Sequence, residues 1–238
     1  MKAGWKAAAA AAISAGAGIG ATYTVLYQRA MHPEIPKPEQ GKTRIACVGD
    51  SLTYGYGLMG AFRAYAYPAV LQELLGSDYQ VMNFGFCDRT LCDSGDRPYR
   101  QGKMYTAALS SDPDAVVIML GTNDAKPHNW NAEEYENDLR NYISAFRNDH
   151  AKPYIVLMQP PRAFSVHGKT LDDIQNEVIR SEIHDIIGRI GSETCCTVID
   201  LYSLTENHRE WFTDGLHLNH AGTKAVAELL YHTILSKD

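Results

Sequence analysis

Five short apolar runs constrain this chain more than any other feature. They are RIACVG (44–49), QVMNFG (80–85), AVVIMLG (115–121), YIVLMQ (154–159) and CTVIDL (196–201). A strand with one wet face alternates apolar and polar residues; these runs do not, so they suit a parallel sheet covered on both faces. Between them lie segments with helical spacing. AYAYPAVLQELLG stops at Gly76. NAEEYENDLRNYISAFRND places Tyr135, Leu139, Tyr142, Ile143 and Phe146 on one side. LDDIQNEVIRSEIHDIIGRI does the same with Ile174, Val178, Ile179, Ile183 and Ile186, and HAGTKAVAELLYHTIL closes the chain. Strands alternating with helices predict a layered α/β fold with right-handed crossovers.

The chain has 238 residues and 45% hydrophobic content, which suits one domain with a short extra segment. A body of roughly 200 residues buries enough surface to need neither a disulfide nor a metal. The net charge is −6 and no basic stripe occurs, so nucleic acid is not an expected partner. Cys47, Cys87, Cys92, Cys195 and Cys196 show no metal-ligand spacing; five free thiols are expected, with Cys87 and Cys92 close enough in sequence to bridge in an oxidising compartment.

Residues 1–29 differ from the rest. Lys2 and Lys6 precede an uncharged run, Ala7 to Gln28, closed by Arg29. As a helix this run reaches roughly 33 Å, enough to cross a bilayer core. The favoured reading is an uncleaved signal anchor with the body outside the cytoplasmic membrane. A cleaved signal peptide, cut near Ala15 to Ala17, and a soluble helix are the alternatives. Residues 30–42, with prolines at 33, 36 and 38, read as a linker, and 43–238 as the working domain.

In open α/β sheets the binding crevice lies at the carboxyl ends of the strands. There the chain places Gly49-Asp50-Ser51, Asn83-Phe84-Gly85, Gly121-Thr122-Asn123-Asp124, Gln159-Pro160-Pro161 and, before the last helix, DGLHLNHAG (214–222). Gly55-Tyr56-Gly57-Leu58-Met59-Gly60 matches a dinucleotide fingerprint, but it starts six residues past the strand end, and the second strand ends without the acid that binds ribose. No dinucleotide is expected. A serine nucleophile instead needs a base, a group to orient that base, and donors for the oxyanion. Ser51, His217, Asp214 and the trio of Ser51 N–H, Gly85 N–H and the Asn123 amide are the candidates. Each has a structural alternative: Ser51 and Asp214 as helix caps, Gly85 as a turn, Asn123 and Asp124 as an Asx-turn. Asp214, His217 and His220 at three-residue spacing suggest a metal site, but Gly215 and Gly222 break the helical face that spacing would need, so no metal is expected. His220 is expected to begin or cap the last helix.

Four of these stretches, in this order, resemble the motifs of the GDSL, or SGNH, hydrolases: Gly49-Asp50-Ser51-Leu52, Gly85, Gly121-Thr122-Asn123-Asp124 and Asp214-Gly215-Leu216-His217. The segment FCDRT after Gly85 departs from the smaller residues often found there. The resemblance implies a three-layer α/β/α fold with a flavodoxin-like, parallel five-stranded sheet, and ester or thioester hydrolysis without a cofactor. PDAVVIMLGTNDAKPHNW further resembles branches that remove O-acetyl groups from carbohydrates. The expected substrate is therefore a small acyl ester, acetyl on a carbohydrate. Alternatives are a lysophospholipase or thioesterase, and a non-catalytic carbohydrate-binding module. Asp50, Asp124 and Trp130 are candidate pocket residues, with Asp50 and Asp124 alternatively bracing loops and Trp130 alternatively packing under the next helix. Lys126, His128, Asn129, Arg162 and Phe164 are expected to face the same crevice. The sequence sets no oligomeric state.

Overall fold

The computed structural model describes Val25 and residues 28–58, 62–147 and 152–236. The chain divides into two units, residues 1–34 and 35–238. Most of the expected anchor lies outside the described residues, and among those no helix is long and apolar enough to cross a membrane.

The five apolar runs all form strands: β1 (Thr43–Gly49), β2 (Tyr79–Gly85), β3 (Ala115–Met119), β4 (Tyr154–Gln159) and β5 (Thr197–Asp200). They make one sheet in the order β2-β1-β3-β4-β5, parallel throughout. The helices between them are α1 (Ser51–Tyr54), α2 (Tyr67–Leu75), α3 (Lys103–Ser110), α4 (Ala132–Phe146), α5 (His184–Glu193), α6 (Leu201–Thr205) and α7 (His220–Leu235). A π-helical turn, Val178–Ile183, runs directly into α5.

Pleating sorts the strand side chains onto two cores. Ala46, Val48, Val116, Ile118, Ile155 and Leu157 join Met104 of α3, Tyr135 and Leu139 of α4, and Ile186 and Ile190 of α5. Ile45, Cys47, Val117, Met119, Val156 and Met158 join Tyr67 and Leu71 of α2 and Val226 and Leu230 of α7. Each such Leu or Ile contributes about 1.5–3 kcal/mol by leaving water. This is why the runs of the central strands β1, β3 and β4 lack alternation: both their faces are dry.

Helix starts follow side-chain chemistry. Asn131 Oδ1 accepts the Glu134 N–H ahead of α4, where Glu133 and Glu134 also suit the helix dipole. Asn219 Oδ1 accepts the Ala221 and Gly222 N–H groups, so Asn219 caps α7 and His220 is its first residue. Ahead of β1, Gln80 on the edge strand β2 accepts the Glu39 N–H and donates to Lys37 O, tying part of the proline-rich segment to the sheet edge.

Candidate active site

Register brings the candidate residues to one end of the sheet. Gly49 lies beside Gly85 on one side and Met119 on the other, so the turns after β1, β2 and β3 emerge together. Gly49 is required there, because a Cβ would lie 2.7 Å from Met119 O. Asp50 then caps α1, its Oδ1 accepting the Leu52 N–H at 2.9 Å, and Ser51 becomes the first helical residue. α1 stops after one turn at Gly55, whose φ of +94° is left-handed.

His217 arrives from the other end of the sequence on a tightly tied loop. Phe212 and Leu218 bridge, Thr213 N–H donates to His217 O at 2.9 Å, and Phe164 N–H donates to Gly215 O at 2.8 Å. Asp214 Oδ1 accepts the Leu216 and His217 N–H groups at 2.9 and 2.8 Å. Its Oδ2 lies 2.7 Å from His217 Nδ1. His217 Nε2 lies 3.0 Å from Ser51 Oγ, across 166 residues of chain. A carboxylate beside Nδ1 favours the tautomer with its proton there, which leaves Nε2 to accept the Ser51 proton. Partial burial opposes ionisation of Asp214, but the His217 hydrogen bond and charge and the two backbone amides outweigh it and hold the carboxyl at about 2. Tyr56 was not anticipated: its ring lies 4.9 Å from the His217 ring, and its N–H is fixed on Ser51 O at 2.9 Å.

The profile of the GDSL-like Lipase/Acylhydrolase family matches residues 47–225. The chain belongs to this family. It is 38% identical over 216 residues to an acetylxylan esterase of Xylanibacter ruminicola, covering 82% of this chain but 44% of that relative. The chain thus spans less than half of that relative's length. Among solved structures, a carbohydrate acetylesterase family member from Sinorhizobium meliloti aligns with a TM-score of 0.65 at 25% identity, over 81% of this chain and 97% of that one. The aryl esterase of M. smegmatis aligns at 0.66 and 20% identity, over 82% and 99%, and shares the fold. The family resemblance and the parallel α/β fold read from the sequence are both borne out.

Within this GDSL-family site the other expected residues divide. Asn123 is buried beside the serine turn, its Nδ2 donating to Asp50 Oδ2 at 3.3 Å and to Arg89 O at 3.2 Å. Gly85 does not offer the donor expected of it. Its N–H is engaged by Asn83 Oδ1 at 2.8 Å, and its missing side chain instead lets α1 pass, since a Cβ would lie 2.5 Å from Tyr54 Cα. Asp50 and Asp124 were expected to line the pocket, yet both are 0% exposed. Asp124 accepts the Leu91 and Cys92 N–H groups at 2.9 and 2.8 Å, bracing the segment after β2. Burial raises Asp124 to about 6 and Asp50 to about 7, against the amides that stabilise their charge.

Trp130 is also committed elsewhere: Nε1 donates to Glu182 Oε2 at 3.1 Å and its ring packs 5.6 Å from Tyr135. Asn129 is a second brace, with Nδ2 donating to Asn123 O and Asp96 Oδ1, both at 3.0 Å. His128 faces Asp96 at 3.5 Å, and the Arg162 guanidinium lies 4.9 Å from the Phe164 ring. Phe164 does reach the site, through its backbone hold on Gly215. All five cysteines are free thiols; burial pushes the Cys47 thiol up to about 12, so it remains protonated.

Proposed function

We propose that this chain is a serine esterase that removes a small acyl group, acetyl on a carbohydrate, by double displacement. The observation that carries this is the unbroken relay from Ser51 Oγ to His217 Nε2 at 3.0 Å and from His217 Nδ1 to Asp214 at 2.7 Å. Ser51 Oγ attacks the ester carbonyl carbon as His217 Nε2 takes its proton. The carbonyl π pair moves onto oxygen, where the Ser51 N–H at the start of α1 and the Asn123 amide can donate to it. Collapse of that intermediate breaks the bond to the alkoxy oxygen, which takes the proton from His217 and leaves as alcohol. Water, deprotonated by the same imidazole, then attacks the acyl-serine and releases the acid. Asp214 keeps the ring oriented and stabilises the imidazolium without taking its proton.

The acetyl and carbohydrate parts of the reading rest on kinship: an acetylxylan esterase at 38% identity and a carbohydrate acetylesterase at 25%. The test is purified protein on acetylated xylo-oligosaccharides, p-nitrophenyl acetate and a long-chain p-nitrophenyl ester, with fluorophosphonate labelling of Ser51. Acetate release and a labelled Ser51 are expected. A preference for the long chain overturns the acetyl assignment, and an unlabelled Ser51 overturns the mechanism. For the N-terminal segment the proposal is an anchor holding the domain outside the cytoplasmic membrane, supported by Lys2 and Lys6 before an uncharged run. Release of the expressed protein by alkaline carbonate would defeat it.

A further inference from the structure

Asp50 has no step in the double displacement, yet it is completely buried between two elements that do. Its Oδ1 accepts the Leu52 N–H at 2.9 Å, and its Oδ2 accepts from Asn123 Nδ2 at 3.3 Å. Neither partner is a cation, and a carboxylate buried on neutral partners is costly. Capping α1 does not account for the acid, since asparagine caps equally well.

The Asn123 amide supplies the reason. Its nitrogen has two acceptors in reach, Asp50 Oδ2 and the Arg89 carbonyl at 3.2 Å. An ionised carboxylate has no proton to donate, and a peptide carbonyl never has one. Turning the amide over would therefore set its oxygen against two oxygens. We propose that Asp50 is a positioning residue that, with the Arg89 carbonyl, locks the N–H edge of Asn123 toward the Ser51 side of the site. An asparagine side chain is otherwise free to present either end, and only one end stabilises an oxyanion. Both hydrogen bonds that Nδ2 donates are long, at 3.3 and 3.2 Å, so a developing oxyanion can share one of its hydrogens without a strong bond having to break first. His217, Asp124, Asp88, Cys87, Tyr67 and Tyr135 also act electrostatically on or with Asp50.

This inference rests on the esterase reading, and a double-mutant cycle separates the two. Assays run at pH 8, above the value of about 7 to which burial raises Asp50. Asp50→Asn should lower kcat roughly 10–100-fold, with KM within about threefold of the parent. Its Tm at pH 8 should not fall, because the amide still caps Leu52 and removes a buried charge. In an Asn123→Ala background the same substitution should change kcat less than about twofold, because the residue it orients is gone. Asp50→Ser, which keeps a capping oxygen, runs the same cycle if Asp50→Asn does not accumulate folded. A kcat within threefold of the parent, or losses that multiply in the double variant, overturns the inference while leaving a fluorophosphonate-labelled Ser51 intact. An unlabelled Ser51 in the parent protein overturns both.

Discussion

Asp50 precedes Ser51 in the chain and Asp214 bonds the His217 ring, and their surroundings drive them in opposite directions. Asp50 is carried on the sheet, one residue past β1, with no solvent contact, and burial raises it to about 7. Asp214 is carried on a loop, its side chain 36% exposed, and the imidazole and two amides hold it at about 2. Partners and water, not residue type, decide the sign. The sheet-borne half of the site gives rigidity at an electrostatic cost. In the proposed mechanism the loop-borne half keeps a charge that answers the imidazolium when it forms.

The largest effects should fall on the two groups proposed to exchange the proton. Ser51→Ala and His217→Ala should each lower kcat by on the order of 10⁴–10⁶, measured on p-nitrophenyl acetate. The two halves are then inseparable, because each is inert without the other. Asp214→Asn should follow, at about 10³–10⁴, since an amide no longer imposes the tautomer. Asn123→Ala should lose about 10²–10³, the usual effect of one oxyanion donor. If Asp214→Asn were milder than Asn123→Ala, the loop-borne carboxylate would matter less than this comparison requires.

Glycine variants sharpen the contrast between sheet and loop. Gly215 sits at φ +93°, and a Cβ there would lie 2.6 Å from Phe164 O. Gly215→Ala should shift the His217 loop and lower kcat roughly 10–100-fold, since small misplacements of a catalytic group are costly. Gly49→Ala instead presses on Met119 O inside the sheet and should lower Tm by roughly 5–10 °C. Thermal unfolding and kcat measured on both variants would blur the distinction if Gly215→Ala lost as much Tm as Gly49→Ala.

The same division explains what was legible beforehand. The central strands, buried on both faces, announce themselves as apolar runs, and all five expected runs end within two residues of the observed strands. Ser51, His217 and Asp214 stood at strand ends and loop entries in residue types that have few other joint uses. Helix α3 was not legible: it spans eight residues and buries only Met104 and Ala108, too little for a period to emerge. Nor were the braces. Asp124, Asn129 and Asn83 look like site residues in sequence, and the choice between holding a substrate and holding the backbone depends on which amide comes within 3 Å once the chain folds. Gly85 shows this most plainly, because the asparagine two residues earlier occupies its N–H.

The smallest expected effects lie in stability against pH, where the two aspartates should part company. Asp214 has a folded value of about 2, below its usual 3.8, so its stabilisation is fully present above pH 4 and fades as pH falls through 2. Asp214→Asn should therefore unfold at a lower temperature than the parent at pH 6, with the gap closing toward pH 2. Asp50 has a folded value of about 7, above 3.8, so the native state favours its neutral form. The parent then loses stability as pH rises from about 4 to 7, and the loss is complete above that. Asp50→Asn cannot ionise and escapes it, so its Tm should match the parent near pH 4 and exceed it by a few degrees at pH 8. Calorimetric scans across this range should give gaps of opposite sign that widen in the same direction, toward high pH. A parent and Asp50→Asn pair whose Tm curves stay parallel would mean that Asp50 titrates as it does in the unfolded chain, its buried charge fully compensated, and the electrostatic cost at the centre of the comparison would be lost.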